Sequence, residues 1–192
     1  MPVPAPEQAA VDPAGDATED GLGAYLEASM LQLDGRHPEA VRFFLRALAA
    51  DSSQAAPRLG LAISYTEMGQ PDSALFWAEA AARGEPESAE PHRIAGLNLA
   101  RLGRAREAVA VFERALERDP EDLSARMSVL GLLEVLRDHE ASLRVLDEAP
   151  PGIRSMDPFR VRRARLLLQL DRPEEAVPEL TFVLRREGAF PE

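Results

Sequence analysis

Apolar residues recur every three or four positions along most of the chain, with charged residues between them. In AREAVAVFERALERDP, Ala108, Phe112 and Ala115 fall on one side of a helix, and the arginines and glutamates fall on the other. Aromatic residues make up only 5% of the sequence, so the core must be built mainly from Leu, Ala and Val. That composition suits packed helices better than sheets. The pattern therefore predicts an all-α protein.

The helical pattern repeats itself. Three stretches are alike: HPEAVRFFLRALAADSS, PDSALFWAEAAARGEPE and AREAVAVFERALERDPE. One small residue recurs every 34 positions through these stretches and beyond them, at Ala40, Ala74, Ala108, Ser142 and Ala176. A turn is expected five residues before each of these positions, at Gly35, Gly69, Gly103, Arg137 and Asp171. The chain therefore reads as five helix–turn–helix repeats.

Two of the repeats depart from this pattern. The fourth has Arg137 where a turn glycine is expected, and Pro150-Pro151 interrupts its second helix. We expect a shortened helix there, followed by a longer loop through Met156. The fifth carries Pro178 about one turn into its second helix, which predicts a kink or a late start of that helix.

The repeat resembles the tetratricopeptide repeat, a helix–turn–helix unit of about 34 residues. The best match, residues 89–122, has family-like residues at Gly96, Leu99, Gly103, Ala108, Phe112, Ala115 and Pro120. Five repeats tile the chain, at residues 21–54, 55–88, 89–122, 123–156 and 157–190. The resemblance implies an all-α solenoid, a right-handed superhelix of five helix–turn–helix units whose first helices form a concave wall. In this family the wall usually binds a peptide, a helix or an extended segment of a partner protein.

Register places particular residues on this wall. The predicted groove consists of Tyr25, Leu59, Ile63, Arg93, Leu97, Arg101, Met127, Val161 and Arg165. Its apolar members would form a stripe that receives an apolar or amphipathic segment, and the arginines would pair with carboxylates of that segment. Thr66 falls on the same face. The alternative is that half of these residues contact neighbouring helices and belong to the core.

The two ends of the chain have features of their own. Residues 1–20 are rich in Pro and Ala and contain five acids and no base, which predicts a disordered tail. The first helix of the fifth repeat, DPFRVRRARLLL, is basic, so the tail could dock on it; a solvated basic face is the plainer alternative. The last helix carries a predicted docking surface at Leu180, Phe182 and Val183, which could bind a partner or form a homodimer.

Charge and residue usage exclude several functions. The net charge of -11 argues against nucleic-acid binding, and no stretch approaches the roughly 20 apolar residues needed to span a bilayer. The three histidines lie at turns or helix starts of different repeats, there is no cysteine, and no phosphate-binding glycine loop occurs. We therefore expect no enzymatic activity, no metal and no cofactor.

The sequence favours a protein–protein interaction adaptor or scaffold that binds a partner polypeptide segment in the groove. Two alternatives stay open. One is an assembly or secretion chaperone that shields an apolar client helix. The other is a structural or regulatory subunit docked through the last helix. We expect a bacterial protein, and the absence of targeting signals predicts a cytoplasmic location.

Overall fold

A computed structural model describes residues 21–186, and the predicted tail at residues 1–20 lies outside this range. Within that range the chain forms helices and turns, with no strand. Ten helices form five pairs, and a short helix, α9, stands between the last two pairs. The helices are α1 (Gly21–Leu33), α2 (His37–Ala50), α3 (Ala55–Glu67), α4 (Pro71–Gly84), α5 (Ala89–Arg101), α6 (Ala105–Arg118), α7 (Leu123–Leu136), α8 (His139–Asp147), α9 (Pro151–Arg154), α10 (Asp157–Gln169) and α11 (Pro173–Arg186). These elements agree with the predicted all-α solenoid of helix hairpins.

The chain divides into two compact parts, and the boundary between them in the sequence falls within α6. We call the described residues 21–111 the N-terminal part and 112–186 the C-terminal part. In the N-terminal part α1 packs on α2 and α3 on α4, and each of these hairpins packs on the next helix. In the C-terminal part α7 packs on α8 and α10 on α11, and α10 also contacts α8.

Every turn inside a hairpin contains a residue in the left-handed backbone conformation. The φ angles of Gly35, Gly69 and Gly103 are 74°, 69° and 73°. Arg137 and Asp171 occupy the same place with φ of 56° and 55°. The turn therefore keeps the left-handed conformation in all five repeats, although two of them lack glycine, the residue that adopts this conformation most readily.

The N-terminal part packs around Phe44, which is buried in a cluster with Ala28, Leu31, Ala40, Val41 and Leu61. The ring of Phe44 lies so close to Gly60 that a Cβ added there would stand 2.3 Å from its Cζ. Gly60 is buried in the middle of α3. The glycine therefore provides the space into which the preceding hairpin inserts its largest core side chain.

Polar side chains also connect successive first helices of this part. The Nε2 of Gln32 on α1 donates to the Oγ of Ser64 on α3 at 2.8 Å and to the Gly60 carbonyl oxygen at 2.8 Å. The Nδ2 of Asn98 on α5 donates to the Oγ1 of Thr66 on α3 at 2.7 Å. Ser64, Thr66 and Asn98 are buried. We call these two contacts the polar ladder.

The C-terminal part shows how the irregular repeats fold. The second helix of the fourth repeat, α8, has 9 residues and ends at Asp147, which confirms the predicted shortening. The expected loop through Met156 contains the one-turn helix α9, which begins at Pro151. The predicted late start of α11 is wrong, because the helix begins at Pro173 and continues through Pro178 to Arg186.

The basic helix α10 is cross-linked within this part. Arg160 and Arg163 both bind the carboxylate of Glu179 on α11, at 2.7 and 3.2 Å. Arg163 also binds Asp147 at 2.7 Å, and Arg162 binds Glu134 on α7 at 2.7 Å. Three of the arginines that could have received the acidic tail therefore have acidic partners within the C-terminal part.

Candidate partner-binding surface

In the N-terminal part the predicted groove residues line α1, α3 and α5. Tyr25, Leu59, Ile63 and Leu97 are each half-buried. Tyr25 packs on the core ring of Phe44, with ring centroids 6.0 Å apart. These side chains divide their surface between neighbouring helices and solvent, so each offers a partner only part of its apolar area.

The arginines of this part already have protein partners. The Nε of Arg93 donates to a carboxylate oxygen of Glu90 at 2.7 Å, one helical turn earlier. A guanidinium nitrogen of Arg101 donates to the carbonyl oxygen of Thr66 at 2.6 Å. A partner carboxylate would therefore have to share Arg93 with Glu90. Arg101 binds a carbonyl oxygen in the last turn of α3 and so caps that helix.

In the C-terminal part the predicted groove residues Met127, Val161 and Arg165 are all exposed. Arg165 borders a small cleft of about 50 Å³, at whose edge Arg162 and Glu134 form their ion pair. His139 and Gln169 also line this cleft. The C-terminal part thus combines exposed apolar side chains with a neighbouring cation.

The first helices carry more exposed apolar residues than the predicted groove residues Met127 and Val161. Among residues 21–186, thirteen large apolar side chains are exposed, and nine of them lie on first helices. The nine are Leu22, Leu26, Met30, Leu33, Leu123, Met127, Val135, Val161 and Leu168. The 34-residue period could have identified two of them from the sequence. Leu33 and Val135 are equivalent in their repeats to Arg101, which is a predicted groove residue.

The predicted docking surface on α11 is narrower than expected. Val183 is buried and Leu180 is half-buried against the core of the C-terminal part. Phe182 is exposed, and the guanidinium of Arg160 stands 4.0 Å from the centre of its ring. Phe182, Val177, Pro178, Thr181 and Arg185 line an open cleft of about 620 Å³. Of the predicted docking residues, Phe182 is therefore exposed, whereas Val183 is not available to a partner.

A second cleft of the C-terminal part, of about 480 Å³, surrounds a buried arginine. Arg126 donates to the carbonyl oxygens of Val145 and Pro120, each at 2.9 Å, and burial lowers its pKa. Glu113 also lines this cleft, and burial raises the pKa of its carboxyl group, with Arg144 opposing the rise. The arginine joins the end of α8 to the turn before α7, so its role is structural.

Metal sites and membrane spans were also sought in residues 21–186. In this range no three His, Asp or Glu side chains are grouped so that they could hold a metal ion. No helix of the same range has the length and apolar character needed to cross a bilayer.

Comparison with known proteins identifies the repeat. Tetratricopeptide-repeat families match residues 31–96, 95–157 and 158–180. No curated protein sequence matches the chain.

Several solved structures share the fold. The crystal structure of a MamA protein superposes with a TM-score of 0.71 at 16% identity, covering 88% of this chain and 92% of that one. MamA from Desulfovibrio magneticus RS-1 gives 0.67 at 14%, covering 93% and 99%. YrrB, described as a TPR protein with an unusual peptide-binding site, gives 0.68 at 20%, covering 86% of each chain. Identities this low establish the fold alone. Together with the family matches, the five 34-residue helix hairpins show that the chain belongs to the tetratricopeptide-repeat family.

Proposed function

We propose that the chain is an adaptor that holds an apolar or amphipathic segment of a partner protein against its first helices. The observation that carries this proposal is the exposure of the large apolar side chains of Met127, Val135 and Val161 on first helices of the C-terminal part. Exposed apolar surface of this kind is typical of sites that bind another polypeptide. YrrB, of similar fold, is itself described as binding a peptide.

The predicted groove residues are more exposed in the C-terminal part than in the N-terminal part. Met127, Val135 and Val161 are exposed there, whereas Leu59, Ile63 and Leu97 in the N-terminal part are half-buried. Apolar area stabilises a complex only to the extent that binding removes it from water. We therefore infer that the first helices of the C-terminal part provide the main contact, and that Tyr25, Leu59, Ile63 and Leu97 form a weaker surface of the N-terminal part.

Arg165 gives this surface its selectivity. Its exposed guanidinium stands beside the cleft that contains the Arg162–Glu134 ion pair. A carboxylate next to the apolar residues of a bound segment could accept bidentate hydrogen bonds from it. The preferred partner segment therefore combines apolar residues with an Asp or Glu. The proposed role is one of binding, without chemistry.

The test uses a displayed library of peptides, selected against the full chain and then measured by fluorescence anisotropy. A triple variant, Met127→Gln, Val135→Gln and Val161→Gln, should weaken binding of the selected peptides by about a hundredfold, since each of the three lost apolar contacts contributes about 1 kcal/mol. A control variant, Phe76→Gln and Met156→Gln, changes two exposed apolar residues that lie off the first helices. It should bind as the wild type does.

Equal binding by the triple variant and the wild type would refute the proposal, as would a selection that yields no binding peptide. Variants of Leu59, Leu97 and Arg93 test the predicted N-terminal contribution. Because these side chains are half-buried, their unfolding must be measured alongside.

The chaperone alternative is separated by the state of the partner. A client that aggregates alone but stays soluble in a one-to-one complex would favour a chaperone. The subunit alternative finds support in the exposed cleft around Phe182, and a Phe182→Gln variant that loses a stoichiometric partner would favour it.

A further inference from the structure

The first helix is apolar on every side, which is unusual for a helix at the edge of a domain. Its sequence GLGAYLEASMLQL contains only three polar residues: Glu27, Ser29 and Gln32. One side, with Ala24, Ala28 and Leu31, is buried against its neighbours. Leu26 and Met30 on another side are 54% and 64% exposed. A helix that is apolar all round is normally covered on all sides, and among residues 21–186 no helix covers this side of α1.

Repeat register shows what kind of partner fits that side. Leu26 corresponds to Gly60 on α3, which packs against the ring of Phe44 in the preceding hairpin. Met30 corresponds to Ser64 and Asn98, which are buried and bind Gln32 and Thr66 of the preceding first helix. The exposed side of α1 is therefore the side on which α3 and α5 receive the hairpin before them.

The last hairpin shows the complementary open side. Val177 on α11 is 60% exposed, whereas its counterparts Val41 and Leu75 are 6% and 8% exposed. Leu168 on α10 is 54% exposed and corresponds to Gln32 and Thr66, the residues that reach the following hairpin in the polar ladder. This side of α10–α11 is where a following hairpin would pack.

The two open sides match one another in polarity. Inside the N-terminal part the corresponding contacts pair polar residues, Gln32 with Ser64 and Thr66 with Asn98. At the open sides the equivalent residues are Leu168 and Met30, and both are apolar. A polar group that faced either Leu168 or Met30 would be buried without a hydrogen bond, so each open side favours an apolar partner such as the other.

We propose that a second copy of this chain covers these surfaces, with α10–α11 of one molecule stacked on α1 of the next. Leu168 of one molecule then meets Met30 of the other, and Val177 packs beside Leu26. The two surfaces differ, so the contact is heterologous and head-to-tail, and it adds molecules in series. This contact is separate from the partner-binding surface proposed above.

Sedimentation velocity of the full chain over a wide concentration range tests the proposal. The wild type should show an average mass that rises steadily with concentration. A head variant, Leu26→Glu and Met30→Glu, and a tail variant, Leu168→Glu and Val177→Glu, should each remain monomeric. An equimolar mixture of the two variants should form a one-to-one dimer and nothing larger, because one intact head and one intact tail remain.

Circular dichroism of each variant establishes that it is folded, and the changed residues are exposed, so folding should persist. The Met127, Val135 and Val161 triple variant should self-associate as the wild type does, which separates this contact from peptide binding. A wild type that stays monomeric at every concentration overturns the proposal. A tail variant that still dimerises by itself also overturns it, since α1 would then pair with α1.

Discussion

The side-chain amide of Asn98 donates a hydrogen bond to the hydroxyl oxygen of Thr66 at 2.7 Å, joining α5 to α3. Gln32 and Ser64 make the equivalent contact at 2.8 Å between α1 and α3. Both pairs are separated by 32 residues, because the two contacts recur at the same repeat positions. Buried polar groups of this kind fix the offset between neighbouring hairpins, since any other offset leaves them without partners.

The Asn98–Thr66 contact should contribute measurably to stability. Thr66→Val keeps the shape of the side chain but leaves the Asn98 amide with only the Ile94 carbonyl oxygen as acceptor. We expect the free energy of unfolding to fall by about 1–3 kcal/mol. Ser64→Ala is the matched control, and its cost should be smaller because Gln32 is half-buried and still binds the Gly60 carbonyl oxygen. Urea denaturation measures both, and equal losses would contradict the argument.

The helices and the places of the turns could be predicted from the sequence because they depend on local, periodic signals. The polar ladder could not, because it joins side chains of different hairpins, and the 34-residue period does not give the 32-residue offset between them. Thr66, which register placed on the groove wall, is buried in this ladder instead. Position within a repeat therefore identifies the side of the helix, and only packing decides which side chains remain exposed.

The last helix, α11, shows the same difference between the predicted side of a residue and its exposure in the structure. The pattern indicated apolar surface on α11, and Phe182 and Val177 are exposed there. Val183 was expected to share this surface but is buried, because it points to the same side as the small residues that close each hairpin. The late start expected for α11 was wrong. Pro178 removes one backbone hydrogen bond near the helix start, and the helix continues through it.

The turn at Arg137 offers a way to stabilise the protein. A side chain in the left-handed conformation costs about 1–2 kcal/mol, and glycine avoids most of that cost. We expect Arg137→Gly to raise the free energy of unfolding by about 0.5–1 kcal/mol, after the greater freedom of glycine in the unfolded chain is included. The reverse change at the equivalent turn, Gly103→Ala, should lower it by about 1 kcal/mol. Chemical denaturation with no change in Arg137→Gly would show that the turn is unstrained.

The contact between Gly60 and Phe44 should make Gly60 intolerant of substitution. Alanine normally stabilises a helix interior by about 1 kcal/mol relative to glycine. Here the added Cβ would collide with the Phe44 ring, so Gly60→Ala should destabilise by about 1–3 kcal/mol. Gly131→Ala in α7, where a Cβ meets nothing within 4 Å, is the control and should be neutral or stabilising.

A double variant tests the cause. Phe44→Leu in the Gly60→Ala background should cost less than Phe44→Leu alone, because the smaller side chain relieves the collision. Thermal unfolding of the four proteins gives the coupling energy. Strictly additive losses would mean that the two residues do not interact.

Glu113 should make stability depend on pH in an uncommon direction. Burial raises the pKa of its carboxyl group, and Glu148 and Glu117 add to the rise. The folded state therefore holds this proton more tightly than the unfolded state, and the stability it contributes is lost as pH rises through the folded-state pKa. Glu113→Gln should be more stable than the wild type at pH 7, and the two should converge below about pH 4. A gain that does not vary with pH would contradict this account.

The left-handed residue that recurs in every hairpin turn has a consequence for the evolution of chain length. Excision of residues 36–69 would join one such turn to the segment that follows the next, so the backbone at the joint would keep its conformation. Gln32 would then face Asn98, and two amides would meet where an amide and a hydroxyl meet now. A whole hairpin can thus be removed without changing the phase of the repeat, whereas the loss of a single residue within a hairpin would shift the ladder contact that spans it out of phase.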